Sequence, residues 1–119
     1  IAAGGLVETF DDIQETLDFD SVLHLKGLFA LTVNGDSMID SFIADGDMVL
    51  MEPVNDPSRL RNGTVVSAMV PGLGTTLKHF FRDGSLVRLE AANTSYDPIE
   101  IDAEQVHVQG KLAAVWRKT

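Results

Sequence analysis

A serine and a lysine in this chain have the types and settings of a nucleophile and a general base. Ser37 follows a glycine turn at Gly35-Asp36, and Lys78 lies forty-one residues later in a β-like run. A serine hydroxyl is a weak nucleophile until a neighbouring base takes its proton, and lysine serves as that base in some variants of the serine triad. The pair therefore predicts a Ser-Lys dyad.

Lysine acts as a base only when its amine is uncharged. An unperturbed pKa of about 10.4 leaves roughly one amine in a few thousand neutral at pH 7, and burial in apolar surroundings lowers that pKa. The apolar neighbours Leu77 and Phe80-Phe81 predict such surroundings for Lys78. Because side chains alternate along a strand, Thr76 is expected on the same face, where its hydroxyl would orient the amine.

The glycine before the serine, Gly35, predicts an oxyanion hole that would stabilise the negative charge of the reaction intermediate. Gly35 tolerates a sharp turn that presents the Ser37 hydroxyl and leaves the backbone N–H groups of Asp36 and Ser37 pointing outward. Two such donors would stabilise the oxyanion of a tetrahedral intermediate. From the residues alone, the alternative is an Asn34-Gly35 hairpin that carries an incidental serine.

The candidate substrate is the bond between Ala3 and Gly4, within the small-residue peptide at the start of the chain. Small side chains let an extended backbone enter a narrow cleft, and tethering to the nucleophile supplies a very high effective concentration. A simple linker is the alternative interpretation of these residues.

A Ser-His-Asp triad is the other chemistry that remains open. Its base would be His24, His79 or His107, but the sequence pairs no acid with any of them. We expect no cofactor and no metal site.

Composition limits the classes of protein. The chain has 119 residues, no cysteine and a net charge of −9, so we expect one domain without disulfides, and a surface that repels phosphates. Apolar runs are far shorter than the roughly 18 residues of a membrane span. We therefore expect a cytoplasmic protein that does not enter membranes or bind nucleic acid through this segment. Because the chain begins at Ile1 rather than at methionine, we expect it to be part of a longer protein.

The pattern of apolar and turn residues predicts a mainly β fold with minor helix. Residues 1–27 are interpreted as an arm and linker holding the cleavage site, with a short amphipathic helical turn around Phe10, Ile13 and Leu17. Residues 28–119 are interpreted as the catalytic and dimerisation domain. We expect one helical turn at 36–43, and strands at 29–33, 48–51, 64–70, around Lys78, at 86–91 and at 106–115.

The motifs, taken in order along the chain, resemble the carboxy-terminal regulatory domain of LexA-type repressors, in the self-cleaving Ser-Lys peptidase family. The resemblance rests on six blocks: Ala2-Ala3-Gly4, 33–38 with Asp40, Asp45-Gly46-Asp47, Arg61-Asn62-Gly63 with the following valines, Leu77-Lys78, and 93–99. It implies a coiled β-sheet of the LexA and signal-peptidase type. It also implies that Ser37 is the nucleophile, Lys78 the base, the Asp36 and Ser37 amides the oxyanion hole, and Ala3-Gly4 the cleavage site.

The resemblance further implies partners. Family members form homodimers, which places the dimer contact partly at the last strand, around 106–116. They bind DNA only through an amino-terminal domain that this chain lacks. They cleave themselves, in the SOS response to DNA damage, when a filament of RecA on single-stranded DNA favours the cleavable state. The alternatives are a UmuD-like DNA polymerase accessory subunit that processes itself and a dimerisation module whose Ser-Lys pair is inactive.

Overall fold

The structure is a computed structural model that describes residues 13–17 and 27–118. It contains eight strands, which are β1 (Ile13–Leu17), β2 (Phe29–Val33), β3 (Met48–Pro53), β4 (Thr64–Val70), β5 (Gly74–Asp83), β6 (Leu86–Glu90), β7 (Ile99–Asp102) and β8 (His107–Trp116). Three short 3₁₀ helices lie at Ile39–Ser41, Pro57–Arg59 and Ala103–Gln105. The expected mainly β fold with minor helix is confirmed.

The strands form one sheet in the order β1-β2-β3-β8-β4-β5-β6-β7, and all neighbouring strands run antiparallel. β1, at one edge of this order, also approaches β5, so the sheet curls on itself. Register shifts where β8 meets both β3 and β4 mark irregularities that allow this bending. β8 joins two halves of the sheet, one with β1 to β3 and the other with β4 to β7.

A glycine lets β8 pass close to its neighbours. A Cβ on Gly110 would lie 2.8 Å from the Phe29 ring and 3.0 Å from the backbone oxygen of Glu52. No side chain fits this space without moving the ring or the strand. The centre of the sheet therefore depends on a residue without a side chain.

Two apolar clusters make up the core. One contains Val66, Ala68, Val70, Phe80, Val87, Leu89 and Val108. The other contains Leu31, Val33, Met38, Ile43, Val49, Met51 and Leu77. β5 contributes Phe80 to the first cluster and Leu77 to the second. Lys78 thus lies on a strand that is buried between both clusters.

Most strand predictions agree with the structure. The strands at 29–33 and 64–70 have the expected bounds, and those at 48–51, 86–91 and 106–115 differ by one or two residues at their ends. β7 was not predicted, although Ile99 and Ile101 alternate with two acidic residues in the pattern of a half-buried strand.

The predicted helical turn near the amino end is wrong where the structure describes it. Ile13–Leu17 is a strand paired with β2, and Phe10 lies outside the described residues. Apolar residues four apart suit a helix face, but an even spacing also suits one face of a strand. Pairing with the open edge of β2 decides between the two.

Candidate active site

The turn that carries Ser37 connects β2 to β3 and is fixed at both ends by hydrogen bonds. Gly35 has a φ of 91°, in the region that favours glycine. Its N–H donates to the Asp45 carboxylate at 2.7 Å. At the end of β2, the Val33 N–H donates to the Asp47 backbone oxygen, and the Gly46 N–H donates to the Val33 backbone oxygen, both at 2.8 Å. Residues 34–38, named the nucleophile turn after the role predicted for Ser37, are therefore held against the turn that opens β3.

The predicted helical turn at 36–43 is confirmed in a narrower form. A 3₁₀ helix covers Ile39–Ser41, and Ser37 lies in the turn two residues before it. Ser37 is buried at 5% relative exposure, and the adjacent Met38 packs into the second core cluster. The serine is thus held by core packing as well as by the turn.

Lys78 reaches Ser37 from the opposite half of the sheet. The side chain is 1% exposed, and its Nζ lies 3.1 Å from the Ser37 Oγ. The same nitrogen lies 2.5 Å from the Thr76 Oγ1 and 3.0 Å from the Leu77 backbone oxygen. The structure thus brings together three residues singled out from the sequence: Ser37, Lys78 and Thr76.

Three oxygen atoms lie within hydrogen-bonding distance of the Lys78 amine. A carbonyl oxygen only accepts, so an N–H of Lys78 donates to Leu77, and a second donates to the Thr76 hydroxyl. The third contact joins the same nitrogen to the Ser37 Oγ. This arrangement allows proton transfer from serine to lysine across 3.1 Å.

The histidines lie elsewhere. The Nδ1 of His79 donates to the Gly63 backbone oxygen at 2.8 Å, and its Nε2 lies 2.9 Å from the Ser41 hydroxyl oxygen. His107 begins β8 on the exposed surface, and His24 lies outside the described residues. The Ser37 hydroxyl is therefore served by Lys78 rather than by His79.

The predicted cleavage-site residues Ala3 and Gly4 lie outside the described residues. Ile13 pairs with Val33, and Ser37 follows Val33 by four residues, so β1 begins at the end of the sheet that carries Ser37. Ile13 follows Gly4 by nine positions, and a chain of that length spans up to about 30 Å when fully extended.

An ion pair between the buried Asp47 and the half-exposed Arg117 closes the loop behind the turn that carries Ser37, and the sequence did not reveal it. Asp47 is 2% exposed, and both its carboxylate oxygens accept from Arg117, at 2.7 and 2.6 Å. The guanidinium holds the pKa of the Asp47 carboxyl below its usual value, against the opposing effect of burial, and the Ala44 N–H lowers it further. A contact across seventy residues leaves no local pattern to detect.

Phe42 occupies a strained position between the 3₁₀ helix and β3. Its φ is 63°, a left-handed conformation in which a Cβ is unfavourable, and its side chain is 84% exposed. Its backbone oxygen accepts from Arg117 at 3.1 Å. Because the ring is mostly exposed, its burial contributes little free energy to offset the backbone strain.

A Phe42→Gly variant is expected to raise the free energy of unfolding by about 0.5–1 kcal/mol, because glycine removes the strain. Urea unfolding measures this change. Phe42→Ala keeps a Cβ and removes the ring, so it should unfold close to the wild type. Equal stability of the glycine and alanine variants would contradict the strain at this position.

No group of three histidine or acidic side chains within 13–17 and 27–118 is arranged to hold a metal ion. No helix of that part is long and apolar enough to cross a membrane.

Comparison with known proteins identifies the family. A model of the Peptidase S24-like family matches residues 1–113. The chain is 41% identical to a LexA repressor of Koribacter versatilis over 118 residues, which is 99% of this chain and 54% of that protein. It is 39% identical to a LexA repressor of Gluconobacter oxydans over 119 residues, 99% of this chain and 49% of that protein. A transcription regulator LexA of Synechocystis is 32% identical over 117 residues, 98% of this chain and 58% of that protein.

The chain spans about half the length of the curated relatives it matches. The resemblance to LexA-type repressors is confirmed by these relatives. The family match covers the nucleophile turn, the strand with Lys78 and the connection between β6 and β7. The chain therefore belongs to the Peptidase S24-like family of serine peptidases.

Proposed function

We propose that this chain is the self-cleaving and dimerising part of a LexA-like transcriptional repressor. Ser37 attacks the bond between Ala3 and Gly4 of its own chain, and Lys78 acts as the general base. The observation that carries this proposal is the 3.1 Å separation of two buried atoms, the Lys78 Nζ and the Ser37 Oγ.

The first step forms an acyl-enzyme. As the Ser37 Oγ attacks the carbonyl carbon of Ala3, its proton passes to the Lys78 amine. The N–H groups of Asp36 and Ser37 stabilise the oxyanion. When the tetrahedral intermediate collapses, the C–N bond breaks and Lys78 returns the proton to the nitrogen of Gly4.

The second step frees the serine. Water attacks the ester carbonyl and its proton passes to Lys78; as the bond to the Ser37 Oγ breaks, Lys78 returns that proton to the serine oxygen. Thr76 keeps the amine aimed at the serine through both steps, which its 2.5 Å contact with Nζ supports. The products are the carboxylate of Ala3 and the amine of Gly4.

A reaction in cis suits the position of β1. The strand after the cleavage site pairs with β2 near the nucleophile turn, and a nine-residue tether is long enough to fold back toward Ser37. The tether replaces an encounter between two molecules, which offsets the modest reactivity of a serine.

Partners follow from the same proposal. Dimer contacts involve the end of β8, where Val115 and Trp116 expose 41% and 52% of their surface. DNA binding belongs to another domain, since this chain carries a net charge of −9. A RecA filament on single-stranded DNA would speed cleavage by favouring the state in which the cleavage site is docked.

Incubation of the purified chain over a range of alkaline pH tests the proposal. The neutral amine is the reactive form, so the rate should rise about tenfold per pH unit until it levels off. Mass spectrometry of the fragments should show cleavage between Ala3 and Gly4. An intact chain at about pH 10 would indicate an inactive dimerisation module. Cleavage at another bond would refute the assigned substrate.

A further inference from the structure

The connection between β6 and β7, residues 91–98, crosses to the nucleophile turn. The side-chain Nδ2 of Asn93 donates to the Asp36 backbone oxygen at 2.9 Å. The Tyr96 hydroxyl donates to the Asp36 carboxylate at 2.7 Å. Both contacts fall on the residue directly before Ser37, and they span more than fifty residues of sequence.

The connection is itself braced. The Asn93 Oδ1 accepts from the Ser95 N–H at 2.9 Å, and the Asn93 backbone oxygen accepts from the Tyr96 N–H at 3.1 Å. The Ala92 backbone oxygen accepts from the Asp40 N–H at 2.7 Å. With Oδ1 engaged by an N–H group, the amide of Asn93 is fixed so that its nitrogen faces Asp36.

The Asp36 oxygen matters because of the peptide unit that it belongs to. The carbonyl of Asp36 and the N–H of Ser37 lie in one planar trans unit and point in opposite directions. A donor that holds the oxygen therefore also fixes the direction of the Ser37 N–H, one of the two oxyanion donors proposed above. The Ile39 N–H, from the same turn, also donates to the Asp36 backbone oxygen, at a longer distance of 3.2 Å.

Asn93 links the turn that carries Ser37 to the other half of the sheet, which no hydrogen bond within the turn can do. It follows β6, which pairs with β5, and β5 carries Lys78. The nucleophile turn belongs to the other half of the sheet, between β2 and β3. The hydrogen bond from Asn93 therefore ties the peptide plane at Ser37 to the half of the sheet that carries the base.

The geometry points to Asn93 as a positioning residue for the oxyanion donor at Ser37, with Tyr96 holding the Asp36 carboxylate to one side. This inference rests on the proposed self-cleavage. Asn93 touches no reacting atom and acts through the Asp36–Ser37 peptide. Tyr96 keeps a negative charge directed at the connection 91–98, away from the place where the oxyanion forms.

Two variants of Asn93 and one control test this role. Asn93→Asp keeps an acceptor for the Ser95 N–H but cannot donate to Asp36, and Asn93→Ala removes the donor without adding a charge. Both are expected to slow self-cleavage about 10- to 100-fold, somewhat less than deleting an oxyanion donor outright. Thr94→Ala, at an exposed position of the same connection, should cleave like the wild type.

The pH–rate profile separates positioning from folding. For Asn93→Ala the rate should fall at every pH while the midpoint of the profile stays in place, since Lys78 keeps its surroundings. The measurements are made well below the unfolding temperature of each variant, where a purely structural role predicts wild-type rates. Wild-type rates for both variants would overturn the inference and leave the proposed self-cleavage intact. A wild-type chain that never cleaves would overturn both.

Discussion

Lys78→Met is expected to slow self-cleavage by about 10³-fold or more at alkaline pH, where the wild type is fastest, because it removes the group that takes the serine proton. Methionine has a similar length and suits the buried strand, where Lys78 is 1% exposed. The pH dependence of the residual rate should also lose the rise assigned to the lysine. Fragment formation followed by mass spectrometry gives the rate.

Two companion variants separate the roles within the dyad. Lys78→Arg keeps a positive charge and its donors but cannot become a neutral base, so it should be as inactive as Lys78→Met. Ser37→Ala should abolish cleavage without disturbing the fold, since it removes one buried oxygen. Thermal unfolding serves as the control. A Lys78→Arg chain that cleaves like the wild type would refute the general-base role.

Arg117→Met is expected to lower the free energy of unfolding at neutral pH, and by more than the loss of an exposed cation does. The change removes both hydrogen bonds to Asp47 and leaves that buried carboxylate without its cation. The Arg117 side chain is 55% exposed, so the loss should stay below that of a fully buried pair. Urea unfolding of the variant and the wild type measures the difference.

The loss should depend on pH in a definite direction. Arg117 lowers the pKa of Asp47 below 3.8 in the folded state, so the unfolded chain binds the proton more readily. The stabilisation is complete above about pH 5 and is lost as the pH falls through the folded-state pKa. The difference between Arg117→Met and the wild type should therefore shrink below about pH 4.

Lys118→Met is the matched control for this prediction. It removes a neighbouring exposed cation and should change stability by less than about 0.5 kcal/mol. If both variants lose the same stability, or if the Arg117→Met deficit does not change with pH, the Asp47–Arg117 pair does not stabilise the protein as described.

The sequence was sufficient to predict the proximity of Ser37 and Lys78 and most of the strands, because their signals are local. A glycine turn, an alternating run and apolar neighbours mark Ser37, Lys78 and Thr76 within a few residues of each. The supporting contacts gave no such signal. Asp47, Asn93 and Tyr96 were noted only as members of family blocks, because their partners lie more than fifty residues away.

In the strand Ile13–Leu17 a local pattern is present, but it does not decide the secondary structure. The spacing of Ile13 and Leu17 fits a helix and a strand equally well, and only the open edge of β2 selects the strand. The local sequence cannot show that this edge is open to pairing, because β2 begins at Phe29, sixteen positions after Ile13.

The place of β8 in the sheet has a consequence for the timing of synthesis. It is the last of the described strands to leave the ribosome, yet it fills the middle of the sheet, between the half with Ser37 and the half with Lys78. A nascent chain that ends before β8 has no strand to bridge these halves, and Arg117 has not yet reached Asp47. In the proposed self-cleavage, the completed fold, rather than the presence of the two side chains, thus sets the moment at which a newly made molecule can first cut itself.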